Sequence, residues 1–120
     1  MKKTIYVVDD SDTDLVQAKE ALEDHYTVVT MSSARKMLFL LDKIRPELIL
    51  LDIEMPQMDG FRAMRRLRTH YADIPVIFLT AQLHSEIEKK CLEMGAVDFI
   101  SKPFNAKELL DRLTSHLSPN

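Results

Sequence analysis

One cysteine, Cys91, among 120 residues excludes an internal disulfide and a cysteine-built metal site. The chain also lacks an apolar run of membrane-spanning length and an N-terminal apolar segment of secretory type, so the expected location is cytoplasmic, with no membrane partner. Positive charge is not in excess. Sixteen Lys and Arg face 19 Asp and Glu, a formal net charge of -3, which gives no broad field for direct nucleic-acid binding. Repeats, low-complexity tracts and internal linkers are missing too. What is present, 46% hydrophobic and 29% charged residues, is the balance of a globular domain, and 120 residues leave no room for a second one. Residues 1–120 are therefore expected to form a single domain, with 118–120 a tail or the start of a linker.

Five short apolar, β-branched runs have strand length: TIYVV at 4–8, YTVVT at 26–30, ELILL at 47–51, PVIFL at 75–79 and VDFI at 97–100. Between them the apolar residues recur at helical spacing, as in Leu15, Ala18 and Leu22, or Met37, Leu38, Leu41 and Ile44. Strand and helix alternate five times, which predicts an α/β domain with a doubly wound parallel sheet covered on both faces. Ser11, Ser33, Asp59 and Asn105 occupy helix N-cap positions, Asn105 and Glu108 have capping-box spacing, and Pro46 and Gly95 close helices.

In such a sheet, ligands bind beyond the carboxyl ends of the strands. The residues there are Asp9 and Asp10 after the first run, Asp52 after the third, Thr80 after the fourth and Lys102 after the fifth. Carboxylates gathered so closely either raise a pKa or recruit a cation that keeps them ionised. Magnesium suits them, since it takes carboxylate, carbonyl and water oxygens. Asp10, Asp52 and the backbone carbonyl of Glu54 fit as ligands, with Asp9 behind them. Asp52 then has the position and charge of a nucleophile toward phosphorus, with Lys102 and Thr80 holding the remaining phosphoryl oxygens.

The segments VVDDS at 7–11, LILLDIEMPQMDG at 48–60, FLTA at 78–81 and SKPF at 101–104, in this order and spacing, resemble the receiver domain of two-component response regulators, the CheY-like phosphoacceptor modules. The resemblance runs from Ile5 to about Leu117. It implies a flavodoxin-like (βα)5 fold with strand order 2-1-3-4-5, and phosphoryl transfer to Asp52, with magnesium, from the phosphohistidine of a sensor histidine kinase or phosphotransfer protein. It also implies slow self-hydrolysis tuned by Glu54 and Gln82, and a cis bond between Lys102 and Pro103. A switch is implied in which the Thr80 hydroxyl and the Phe99 ring move together. The face built from residues 84–117 would then contact an output partner or domain, or a second copy in a phosphorylation-dependent homodimer. Lys90, Asp98 and Arg112 are candidates for charged contacts there, whereas Val97 replaces an acid common in transcription-factor receivers.

Two alternatives come from other classes: a phosphate-independent interaction module, and a small phosphatase whose second acid beside Asp52 would be Glu54. The expected protein is a signalling phosphoacceptor rather than an enzyme acting on other substrates. Cys91 is expected as a small buried hydrophobe, His25, His70, His84 and His116 as surface residues, and Met55 and Met58 as packing or partner-contact residues flanking the acid loop.

Overall fold

The strands form where the β-branched runs lie and then reach one residue further. The computed structural model describes residues 2–117, and in it β1 to β5 are Thr4–Val8, Thr27–Met31, Leu48–Asp52, Val76–Thr80 and Asp98–Ser101. Four of the five strands begin and end one residue later than the apolar runs. Their ladders continue past the last apolar side chain: Asp52 pairs with Leu79, and Thr80 with Ser101. Asp52 and Thr80 are therefore held inside the hydrogen-bonded sheet rather than in loops.

The sheet is wholly parallel in the order β2-β1-β3-β4-β5. Helices α1 to α5 are Asp12–Leu22, Ala34–Leu41, Gly60–His70, Ser85–Glu93 and Ala106–Ser115, each connecting one strand to the next or following the last. Successive side chains along a strand point to opposite faces, which divides the core into two layers. Tyr6, Val8, Ile49, Leu51, Val76 and Phe78 pack with α2, α3 and Cys91 of α4, while Ile5, Val7, Leu48, Leu50, Ile77 and Leu79 pack with α1 and α5. Because both faces are covered, β3 and β4 are buried throughout, and their sequences read as continuous rather than alternating apolar runs.

All four expected caps form. Ser11 accepts from the Asp14 amide, Ser33 from Lys36, Asp59 from Arg62 and Asn105 from Glu108. Helix α4 starts at His84 with no side-chain cap. Gly95, at φ 86, turns the chain after α4 with a bond from the Ala96 amide to the Cys91 carbonyl. No helix among the described residues is long and apolar enough to cross a membrane. The expected tail at 118–120 lies outside the described residues.

Candidate functional site

The switch in strand order between β1 and β3 opens a crevice at the carboxyl edge, and five expected residues meet around it. Asp9 and Asp52 are buried, at 0% and 2% exposure, whereas Asp10 is exposed. One carboxylate oxygen from each of these three lies within 4.8 Å of the others. The Lys102 ammonium lies 2.7 Å from Asp9 Oδ2, 2.9 Å from Asp14 Oδ2 and 3.3 Å from Asp52 Oδ1, with its side chain only 13% exposed. Asp14 is not a site residue on the sequence pattern alone. It reads there as part of the cap of α1, although its place four residues after Asp10 puts it one helical turn along the same edge.

Backbone geometry delivers these groups. The Lys102 amide donates to the Thr80 carbonyl at 2.8 Å, the Lys102–Pro103 bond is cis, and the ammonium reaches back over β1 and β3. The Ile53 amide donates to the Leu79 carbonyl, continuing β3 past Asp52, and the Gly60 amide returns to the Ile53 carbonyl at 2.8 Å. Gly60 passes so close that a Cβ there would lie 2.3 Å from the Asp52 carbonyl oxygen. Between them Gln57, at φ 68, is the centre of a tight turn closed by the Met58 amide on the Pro56 carbonyl.

Burial raises the Asp52 pKa to about 7; the Asp9 charge adds to the rise, the Lys102 ammonium opposes it, and Glu54 contributes further. Burial would lower the Lys102 pKa, but Asp9, Asp14 and Asp52 outweigh it and hold the ammonium above its ordinary value. One cation facing three carboxylates leaves the crevice negative. Asp9 Oδ1 accepts the Ser11 amide at 2.9 Å, while its buried Oδ2 faces the Lys102 ammonium at 2.7 Å. Hard oxygen donors and excess negative charge, with one carboxylate oxygen of Asp9, Asp10 and Asp52 each close to the others, suit a small divalent cation.

Thr80 is fully buried, accepts the Gln82 amide at 3.0 Å and donates to Glu54 Oε2 at 2.8 Å. The second Glu54 oxygen accepts the Ala81 amide at 3.0 Å. Glu54, whose backbone carbonyl is the expected metal ligand, thus also anchors its side chain across to β4, a contact that follows only from the fold.

Of the two methionines flanking the acid loop, Met55 is buried in the core, as a packing role requires, and Met58 is partly exposed. His116 is not a free surface residue: its Nε2 lies 3.0 Å from Asp98 Oδ2. Asp98 and Arg112 pair with each other within the chain, at 2.9 and 2.5 Å, and Arg112 also donates to the Phe99 carbonyl. Burial raises the Asp98 pKa, but hydrogen bonds from Arg112 and His116 prevail and bring it to about 2. Phe99 is half-buried against the α2–α4 layer, and Lys90 lies over the Phe61 ring at 4.8 Å. Cys91 is fully buried, with its thiol pKa raised by burial to about 11, as a packing role requires.

Comparison with known proteins gives the same picture. The family model described as response regulator receiver domain matches residues 5–114. The chain is 36% identical over 107 residues to the regulatory protein AtoC of Escherichia coli, covering 88% of this chain and 23% of that protein. It is 34% identical over 119 residues to the alkaline phosphatase synthesis transcriptional regulatory protein PhoP of Bacillus subtilis, covering 98% of this chain and 49% of that one. Thus the chain spans a quarter to a half of these curated relatives. The solved structure of Vibrio cholerae chemotaxis protein CheY4 superposes with a TM-score of 0.92 at 30% identity, covering 98% of this chain and all of that one.

Proposed function

This chain belongs to the response regulator receiver domains, and from that premise we propose that it is a phosphorylation-controlled switch whose acceptor is Asp52. The observation that carries the proposal is the Lys102 ammonium set among the carboxylates of Asp9, Asp14 and Asp52 at the carboxyl edge of the sheet.

Asp9, Asp10, Asp52 and the Glu54 carbonyl would hold magnesium, which when bound supplies positive charge to the acids and to the transferred phosphoryl group. The donor is the phosphohistidine of a sensor kinase or phosphotransfer protein. An Asp52 oxygen forms the new bond to phosphorus as the phosphorus–nitrogen bond breaks, and the departing imidazole nitrogen keeps the electron pair and takes up a proton. Asp52 enters as the carboxylate, so neighbouring positive charge favours its reactive form against burial. Lys102 and the Thr80 hydroxyl then hold phosphoryl oxygens. Water later cleaves the aspartyl phosphate, with Gln82 and Glu54 beside its path.

The readout is the face of α4, β5 and α5. Thr80 and Phe99 lie on adjacent strands, β4 and β5, so movement of the hydroxyl toward the phosphoryl group would be relayed through the aromatic ring to this face. Output goes to a partner or attached domain, or to a second copy of the chain. We place the domain over 1–120, acting in the cytoplasm. The phosphatase alternative, with Glu54 as the second acid, predicts turnover of exogenous phosphomonoesters, which the receiver reading does not.

Intact mass after incubation with acetyl phosphate, with and without magnesium, tests the assignment on wild type and Asp52→Ala. A single magnesium-dependent phosphoryl adduct, mapped to Asp52 and absent from the variant, is expected. Unchanged labelling of Asp52→Ala would refute it, and absence of any adduct would turn the reading to a phosphate-independent interaction module.

A further inference from the structure

Glu54 has no ion-pair partner among the described residues, yet its side chain is not directed into open solvent. Its two oxygens accept one hydrogen bond each, from the Thr80 hydroxyl at 2.8 Å and the Ala81 amide at 3.0 Å. Both donors lie at the carboxyl end of β4, and β4 pairs with β3 at Asp52 itself. An anion gripped there feels the negative charge of Asp52 and has no ion-paired cation among the described residues, so these two donors hold it in place.

A transferred phosphoryl group on Asp52 presents oxygens toward the same end of β4. Thr80 is fully buried and its hydroxyl has one proton to donate, as does the Ala81 amide; neither can serve two anions at once. We propose that Glu54 is a built-in competitor of the phosphoryl group: its carboxylate holds the Thr80 and Ala81 donors in the unphosphorylated protein and releases them when Asp52 is phosphorylated. This rests on Asp52 being the acceptor. It makes Glu54 a positioning residue that sets how readily the site accepts phosphorus, through its side chain and independently of its backbone carbonyl.

The test compares wild type with Glu54→Ala, Glu54→Asp and Glu54→Gln, using acetyl phosphate at saturating magnesium, with amide resonances of Thr80, Ala81 and Gln82 recorded before phosphate is added. An aspartate side chain is one bond of about 1.5 Å shorter, so it keeps the charge but cannot span to β4. Glu54→Ala and Glu54→Asp are expected to label on the order of tenfold faster or more, the worth of a charge-assisted hydrogen bond that no longer has to be broken. Their Ala81 amide proton should shift upfield and exchange faster in the free protein. Glu54→Gln, able to accept only one of the two bonds, should fall between. Wild-type labelling by Glu54→Asp would overturn the proposal in favour of charge repulsion alone, and wild-type labelling by Glu54→Ala would overturn it outright. Failure of wild type and variants alike to label Asp52 would overturn the acceptor assignment, while an unmoved Ala81 amide would overturn the Glu54 contact by itself.

Discussion

Replacing Asp52 by Asn should make the metal-free protein more stable, and increasingly so as the pH rises. The Asp52 carboxyl is 2% exposed and its pKa is raised from 3.8 to about 7 by burial and by Asp9, with Lys102 compensating only in part. In the unfolded chain the same group ionises near 4. Between these values the native state holds a proton that the unfolded state has lost, so stability falls as pH rises. The wild type should lose about 1.4 kcal/mol per pH unit over the window from about 4 to 7, levelling off above it at a total of about 4 kcal/mol. Asn carries no such penalty, although it gives up the 3.3 Å ion pair with Lys102. Urea unfolding of both proteins in EDTA, from pH 5 to 8, reads the Asp52 charge together with its coupling to Asp9, Lys102 and Glu54. The stability difference should grow by about 2 to 3 kcal/mol across that range in favour of Asp52→Asn. A difference that is flat with pH, or that favours the wild type increasingly at pH 8, would refute the electrostatic account of the site.

Removing the ammonium with Lys102→Met leaves Asp9, Asp14 and Asp52 facing one another, and should cost about 3 kcal/mol in EDTA at pH 8, with part of the loss recovered on adding magnesium; a neutral substitution in urea titration would contradict this. Gly60→Ala drives a methyl group against the Asp52 carbonyl oxygen and the Ile53 backbone, so it should destabilise by about 3 kcal/mol and depress acetyl-phosphate labelling, read by unfolding and intact mass. Asp98, its pKa lowered to about 2, contributes stability that is present above about pH 4 and lost as pH falls through 2; Asp98→Asn should abolish that acid loss, about 1 kcal/mol after solvent screening, in thermal scans at pH 4.5 and 2.5.

The alternation of strands and helices, both faces of the sheet, all four side-chain caps and the edge acids were legible because they rest on local rules. A run such as LILL, short and bounded by turn signals, satisfies its backbone and buries every side chain as a central parallel strand, and Ser, Asp or Asn before a helix meets orphan amides without distant help. The acidic edge followed in turn, since residues ending parallel strands converge wherever the chain order switches.

What the one-dimensional pattern could not contain were contacts between groups far apart in the chain. Asp14 reads as a cap residue until Lys102 is folded back beside it from 88 positions away. Glu54 meets Thr80 across 26 residues, and Asp98 finds Arg112 and His116 only when α5 packs beside β5. Long side chains have many rotamers and a choice of partners, so their pairing is decided by distances of a few ångströms that exist only after the sheet closes. The chain's sequence thus determined which groups stand at the edge, and its tertiary structure decided which of them hold one another and how far Asp52 is driven from its ordinary pKa.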